Sequence, residues 1–368
     1  MNQLILSKTE QIQEIVEPLL AWYYSERREL PWRENPSPYH VWISEIMLQQ
    51  TRVEAVKPYF ERFTQALPGI KALAEVPTDD LLKLWEGLGY YSRARNLQKA
   101  AQKVCTEYNG QLPDSFEELL KLPGIGRYTA GAIASIAYGK KEPAVDGNVL
   151  RIIMRLIASR EDILQEKVKR AVEVLLRPIL PYKAGDFNQA LMDLGAMVCL
   201  PKGAAKCSLC PLQKLCLAYD EGLTQELPYK APKKSRREEK HTILLLTCDD
   251  AAALQRRPAK GLLAGLWELP NFPGHLTQNE IKAYLQTQQL ELLSLTALPE
   301  AKHIFSHIEW QMIGYHAKVR FPQVKEHPSS YGKSSNEDGF HWVLKKELSE
   351  AYAVPTAFKN YIDIFRQS

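Results

Sequence analysis

The chain has 368 residues, 24% of them charged and 45% hydrophobic, with 47 basic against 43 acidic side chains. A length of that order suggests two domains of roughly 150 residues each, and the composition is ordinary for a globular protein that buries real cores. No run approaches the roughly 18 apolar residues of a membrane span, and Met1–Ser7 lacks the basic and apolar regions of a secretory signal, so a cytosolic chain is expected.

Residues 1–226 carry 28 basic and 28 acidic side chains and are neutral, whereas 227–240 carry six basic against two acidic. A neutral mean still permits a nucleic-acid partner, because binding needs a basic face. The first 226 residues read as successive helices. Ile12, Ile15, Val16, Leu19, Leu20 and Tyr23 share one face of a helix, and similar stripes recur at Leu81–Trp85, Phe116–Leu122, Ala130–Tyr138, Val149–Ile157 and Val168–Leu176. Short breaks such as Leu67-Pro68-Gly69 separate them.

Two prolines and a basic run mark 227–240 as a linker. Beyond it the pattern becomes α+β. Thr242–Thr247 has strand length, and the helix Gln278–Leu285 is capped by Thr277. Ile308, Trp310 and Met312 alternate, then Ile313, Tyr315, Ala317, Val319 and Phe321 alternate in the opposite phase, which predicts a β-bulge beside Gly314.

Four of six cysteines, Cys199, Cys207, Cys210 and Cys216, lie within eighteen residues as C-x7-C-x2-C-x5-C. In a cytosolic chain such thiols suit a metal centre better than disulfides, either a [4Fe–4S] cluster or a structural zinc, although four-cysteine zinc sites usually show two C-x2-C pairs. Leu122-Pro123-Gly124-Ile125-Gly126-Arg127-Tyr128-Thr129 reads as helix, glycine turn, helix. Such a turn points backbone N–H groups at an anion, a nucleic-acid phosphate for example, and is equally compatible with an ordinary helical hairpin. Glu45 is hemmed in by Trp42, Ile43, Ile46, Met47 and Leu48; burial would raise its pKa and suit a general acid, with a half-exposed helix glutamate as the competing reading. Asp146, in Val145-Asp146-Gly147-Asn148, enters an apolar helix, where a plain N-cap is the competing reading.

These features occur in one order, together with Pro31-Trp32-Arg33, Leu48-Gln49-Gln50-Thr51 and Gly87-Leu88-Gly89-Tyr90-Tyr91-Ser92-Arg93. In that order they resemble the helix-hairpin-helix DNA glycosylase superfamily, and within it the MutY family of adenine DNA glycosylases. The resemblance implies a multidomain chain: a mostly α helix-hairpin-helix catalytic domain with an iron–sulfur loop (1–226), the basic linker (227–240) and an α+β Nudix-like domain (241–368) that recognises 8-oxoguanine. It implies duplex DNA with adenine opposite 8-oxoguanine or guanine as substrate, a monomer, no membrane partner, and a [4Fe–4S] cluster on the four cysteines. The seven residues between Cys199 and Cys207 are one more than family clusters usually carry, an insertion a loop absorbs.

Site roles follow by the same similarity. Glu45 would protonate adenine N7 and Asp146 would face C1′, with Tyr128 and Asn148 positioning Asp146 and the backbone. Trp32 and Arg33 would line the adenine pocket, and Gly124 and Gly126 would meet the DNA backbone. Gln50 and Tyr90 would wedge into the emptied duplex, with Thr51 and Leu88 near the opposite base. Phe305, Ser306 and His307 match the family's recognition loop, and Lys202 and Lys206 could contact phosphate. Bifunctional members place a lysine where this chain has Tyr128, so base removal without strand cleavage is expected. A Nudix hydrolase needs an acidic helix for Mg²⁺, and 278–289 offers only Glu280.

Overall fold

The structure, a computed structural model, describes residues 8–201, 205–232, 235–321 and 340–367; the readings of Met1–Ser7, Lys202 and part of the linker lie outside them. By its internal contacts the chain divides into two compact units, Met1–Val76 with Ser92–Pro232, and Pro77–Tyr91 with Lys233–Ser368. Among the described residues no helix is long and apolar enough to cross a membrane.

The first unit is helical. The opening stripe forms two helices, Thr9–Gln13 and Val16–Glu26, where a single one was expected. Pro18 explains the break, since its ring conflicts with the carbonyl four residues back and restarts the helix. Ile12, Ile15, Leu19 and Tyr23 nevertheless share one buried cluster with Val149, Ile153, Val172, Phe187 and Leu191 from the helices Gly147–Leu156, Glu166–Leu176 and Ala184–Met197. The helix Pro38–Leu48 starts on Ser37, whose hydroxyl accepts from the His40 N–H, and buries every residue from Val41 to Met47. That burial is what carries Glu45 inside. The hairpin consists of Phe116–Leu119, the glycine turn, and Arg127–Ala132 continued as a π-helical turn over Ile133–Ala137. Gly124 has φ +79°, and a Cβ there would lie 2.7 Å from the Asn96 Cβ, so backbone and space both demand glycine.

The second unit is a mixed sheet between helices. Strand β1 (Arg237–Cys248) starts inside the stretch read as linker; it is followed by β2 (Ala251–Arg256), β3 (Trp267–Glu268), β4 (Asn271–Pro273), β5 (Glu291–Ile304), β6 (Ile308–Arg320) and β7 (His341–Leu344). The order is β3-β2-β1-β6-β5, with β1 and β6 parallel. Trp310 and Met312 pack on one face with Phe358, Tyr361 and Phe365, whereas Tyr315, Ala317 and Val319 pack on the other with Ile281 and Leu285 of the helix Gln278–Thr287.

The bulge expected beside Gly314 lies on the partner strand and not in β6. The register of β6 with β1 runs unbroken, and burial passes from one covered face to the other. Gly314 falls where the Tyr361 ring presses, 2.4 Å from a would-be Cβ. The irregularity sits on the partner strand, between Leu298 and Ala301 of β5. Residues 77–91 group with this sheet rather than with the helices flanking them in sequence. Lys83 Nζ donates to the Tyr352 carbonyl (3.1 Å), the Val354 N–H donates to Glu86 (3.0 Å), and Arg256 pairs with Asp79 (2.7 Å).

Candidate active site

A cavity of about 1510 Å³ opens within the helical unit, and Trp32, Arg33, Glu45, Gln50, Thr51, Gly124, Gly126, Tyr128, Asp146 and Asn148 all line it. Leu88, Tyr90 and Phe305–His307 belong to the other unit. Glu45 is 5% exposed. Burial pushes its pKa up to about 7, and nearby Asp146 adds to the rise; the Tyr128 hydrogen bond and Arg33 work against it. Near neutral pH Glu45 thus keeps its proton in a large share of the molecules, unlike an exposed glutamate.

Asp146 is built differently. It caps the helix Gly147–Leu156, its carboxylate accepting the N–H groups of Asn148 and Val149 (2.8 Å each) and the Asn148 side-chain amide (2.7 Å). Burial raises its pKa, opposed by those three donors and by Arg151. The N-cap reading is met, and the same side chain lines the cavity. Asn148 in turn accepts from Arg151 Nη2 (2.8 Å), and Arg151 Nε donates to the Cys199 carbonyl (2.8 Å). A Cβ on Gly195 would come within 2.5 Å of the Asn148 Cβ, so that close approach needs glycine.

Tyr128 differs from expectation. Its hydroxyl donates to Glu45 Oε2 (2.5 Å) rather than to Asp146, because the helix after the hairpin presents residue 128 to the buried Pro38–Leu48 helix. Burial and the two carboxyls raise the phenol's own pKa, so it remains a donor.

The turn after Leu48 places Gln50 on the surface with φ +59°, a strained setting for a side chain. Buried Arg93 holds that turn, donating to the carbonyls of Ile46, Met47 and Gln49 (2.8 Å each) and to Thr51 Oγ1 (3.3 Å). In the sheet unit, Tyr90 (φ +47°) is 46% exposed, and its hydroxyl lies 3.2 Å from Ser306 Oγ. Leu88 is buried. The Phe305-Ser306-His307 turn is braced by the Phe305 N–H donating to Ile308 O (2.8 Å), and by the Phe305 ring set edge-on against Trp310 at 5.0 Å.

The four clustered cysteines are half-buried free thiols. Burial raises Cys207, Cys210 and Cys216, Cys210 to about 12, and Cys210 feels the charge of all three others. Arg155 Nη1 stands 3.1 Å from Cys199 Sγ, a cation suited to a thiolate. Among the described residues no group of three or more His, Cys, Asp or Glu side chains is gathered closely enough to hold a metal ion. The donor set that this loop offers is all sulfur.

Sequence reasoning missed Arg28, Gln189 and Met192, which line the cavity, and Asp193 behind them. Asp193 carried the same signal as Glu45, an acid set among Leu191, Met192 and Leu194.

Residues 43–178 match the family described as HhH-GPD superfamily base excision DNA repair protein, and 241–363 match the NUDIX domain. An adenine DNA glycosylase of Mus musculus is 36% identical over 94% of this chain and 77% of its own length. The Homo sapiens adenine DNA glycosylase is 35% identical over 95% and 73%, and that of Buchnera aphidicola subsp. Schizaphis graminum 40% identical over 69% and 74%. Among solved structures, a thermostable thymine-DNA glycosylase aligns at TM-score 0.53 and 30% identity over 58% of this chain and 99% of that one. An endonuclease III–DNA complex aligns at TM-score 0.51 and 27% identity, over 58% of this chain and 98% of that one.

Proposed function

This chain belongs to the adenine DNA glycosylase family of helix-hairpin-helix DNA-repair enzymes, and from that premise we propose that it removes adenine mispaired with 8-oxoguanine or guanine by hydrolysing the N-glycosidic bond and leaves the strand uncut. The observation that carries the reading is the unlike treatment of two carboxyls on one cavity. Glu45 keeps its proton in a large share of the molecules near neutrality, and Asp146 is given three donors that favour its anion. Glycoside hydrolysis needs a proton for the leaving base and a negative charge for the oxocarbenium-like sugar, and two carboxyls built this differently can divide those tasks.

In this reading adenine leaves the stack and enters the cavity beside Trp32 and Arg33. Glu45 passes its proton to N7, and the C1′–N9 bond breaks with its electron pair staying on the neutral base. Asp146 stabilises the sugar cation until water adds to C1′, and Glu45 recovers a proton from that water. Gln50 and Tyr90 fill the gap left in the duplex. Cys199, Cys207, Cys210 and Cys216 would hold a [4Fe–4S] cluster that braces their loop, with the surface Lys206 near DNA phosphate. The one acid of the helix Gln278–Thr287, Glu280, is engaged by Thr277 in a capping box (2.7 and 2.8 Å), which favours lesion reading over Mg²⁺-dependent nucleotide hydrolysis for the sheet unit.

The test is excision by excess protein on a duplex carrying adenine opposite 8-oxoguanine, with and without hot alkali. Strand breaks only after alkali are expected; breaks without it would mean a lyase, and none in either arm would overturn adenine release. Reading of the opposite base by Ser306 has its own check. One hydrogen bond is worth about 1 kcal/mol, so Ser306→Ala should narrow the preference for 8-oxoguanine over guanine about 3–10-fold. Excision opposite guanine should be unaffected, and an unchanged preference would remove Ser306 from recognition.

A further inference from the structure

Arg28 and Arg33 stand on the wall of the cavity that holds Glu45, and both turn back onto Asp193. Arg28 donates from Nε (2.8 Å), Nη2 (2.6 Å) and its backbone N–H (3.2 Å); Arg33 donates from Nη1 (2.7 Å) and Nη2 (3.0 Å). Asp193 is 0% exposed, and five donors converge on its two oxygens. Burial alone would raise its pKa, but the arginines outweigh that and hold it ionised. A buried ion pair of this kind is poor value as mere stabilisation, since apolar residues of the same volume often do as well. Its position suggests a different use.

Glu45 is faced by Tyr128 from the helix after the hairpin, by Asp146 from the cap of Gly147–Leu156, and by Arg33 from the short helix Pro31–Glu34. Arg33 in turn faces Tyr23, 5.7 Å away, and Asp193; Arg27 and Asp186 line the same cavity. Among these groups the arginine charge pulls Glu45 toward its carboxylate, which would disarm it as an acid.

We propose that Asp193 is a positioning counter-ion that keeps Arg28 and Arg33 from ionising Glu45, so that the arginines can line the adenine pocket without discharging the acid. The inference rests on the reading of Glu45 as the general acid. Asp193 acts through the two arginines and touches no reacting atom. With Asp193 in place the trio carries one net positive charge, and with a neutral residue there it carries two, next to a carboxyl poised near neutrality.

The test is the pH dependence of single-turnover adenine excision for the wild-type protein, Asp193→Asn, Asp193→Glu, and Asp193→Asn combined with Arg28→Gln. In Asp193→Asn the alkaline limb should move down by about half to one pH unit, costing about 3–10-fold in rate at pH 8 beyond any change in the plateau. Asp193→Glu should keep the wild-type limb, and the added Arg28→Gln should return it toward wild type by restoring the net charge. A purely structural role predicts a uniform loss at every pH and a double variant worse than either single change; that result, or an unmoved limb in Asp193→Asn, overturns the proposal. Should Asp193→Asn fail to fold, Arg28→Gln alone must move the limb upward, and a downward or absent shift refutes the idea. An active Glu45→Gln variant would instead defeat the acid assignment on which it rests.

Discussion

Glu45→Gln is expected to abolish adenine release, lowering the single-turnover rate by about 10³-fold or more, while duplex affinity changes little. The amide keeps the size of the buried side chain and can still meet the Tyr128 hydroxyl, but it has no proton to pass to N7. In the wild-type protein the acid is competent only while protonated. With the pKa pushed up to about 7, the rate should fall about tenfold per pH unit above that point, and a separate acid limb should appear where Asp146 takes up its proton. Tyr128→Phe gives the sign a second check. The phenol's hydrogen bond favours the Glu45 carboxylate, so removing it should carry the limb to higher pH. A Glu45→Gln variant within tenfold of wild type, or a wild-type profile with no limb near neutrality, would exclude Glu45 as the acid.

The burial of Glu45 was only half legible: five large apolar neighbours hem it in, but a half-exposed helix glutamate fits the same run until the helix is covered on every side. The capped helix Gln278–Thr287 was legible for a local reason: Thr277 and Glu280 form a motif complete within four residues. What local pattern could not supply was partnership across the chain. Residues 77–91 read as one more helix of the first domain, yet the bonds that assign them elsewhere, Lys83 to Tyr352 O and Val354 N–H to Glu86, span about 270 positions and two of the groups are backbone. The phase change at Gly314 was visible in the sequence, but one strand's periodicity cannot tell a bulge of its own from one on its partner. Tyr128 was placed at the site and given the wrong carboxyl, since a motif specifies a neighbourhood and only the packed hairpin decides which oxygen the hydroxyl reaches.

Asp146 raises the sharper question, because it does two things at once and a careless variant would confuse them. Replacing it with alanine would remove the N-cap, worth about 1 kcal/mol, together with the charge. Asparagine caps about as well as aspartate, so Asp146→Asn should keep the helix Gly147–Leu156 and leave Tm within about a degree or two of wild type. It does remove the anion that faces the developing sugar cation. Electrostatic stabilisation of that kind is typically worth 10²–10³ in rate for a single group, and the full charge here sets the expectation at about 10³-fold loss of excision. The three donors that favour the wild-type anion supply a further reading. Arg151 makes no hydrogen bond to Asp146 and acts on it through Asn148 and through its own charge, so Arg151→Met should cost less than Asp146→Asn, about tenfold. An Asp146→Asn protein that melts early and loses activity in proportion would mean that the carboxylate is a cap and nothing more. One that melts normally and is inactive places the negative charge itself in the reaction.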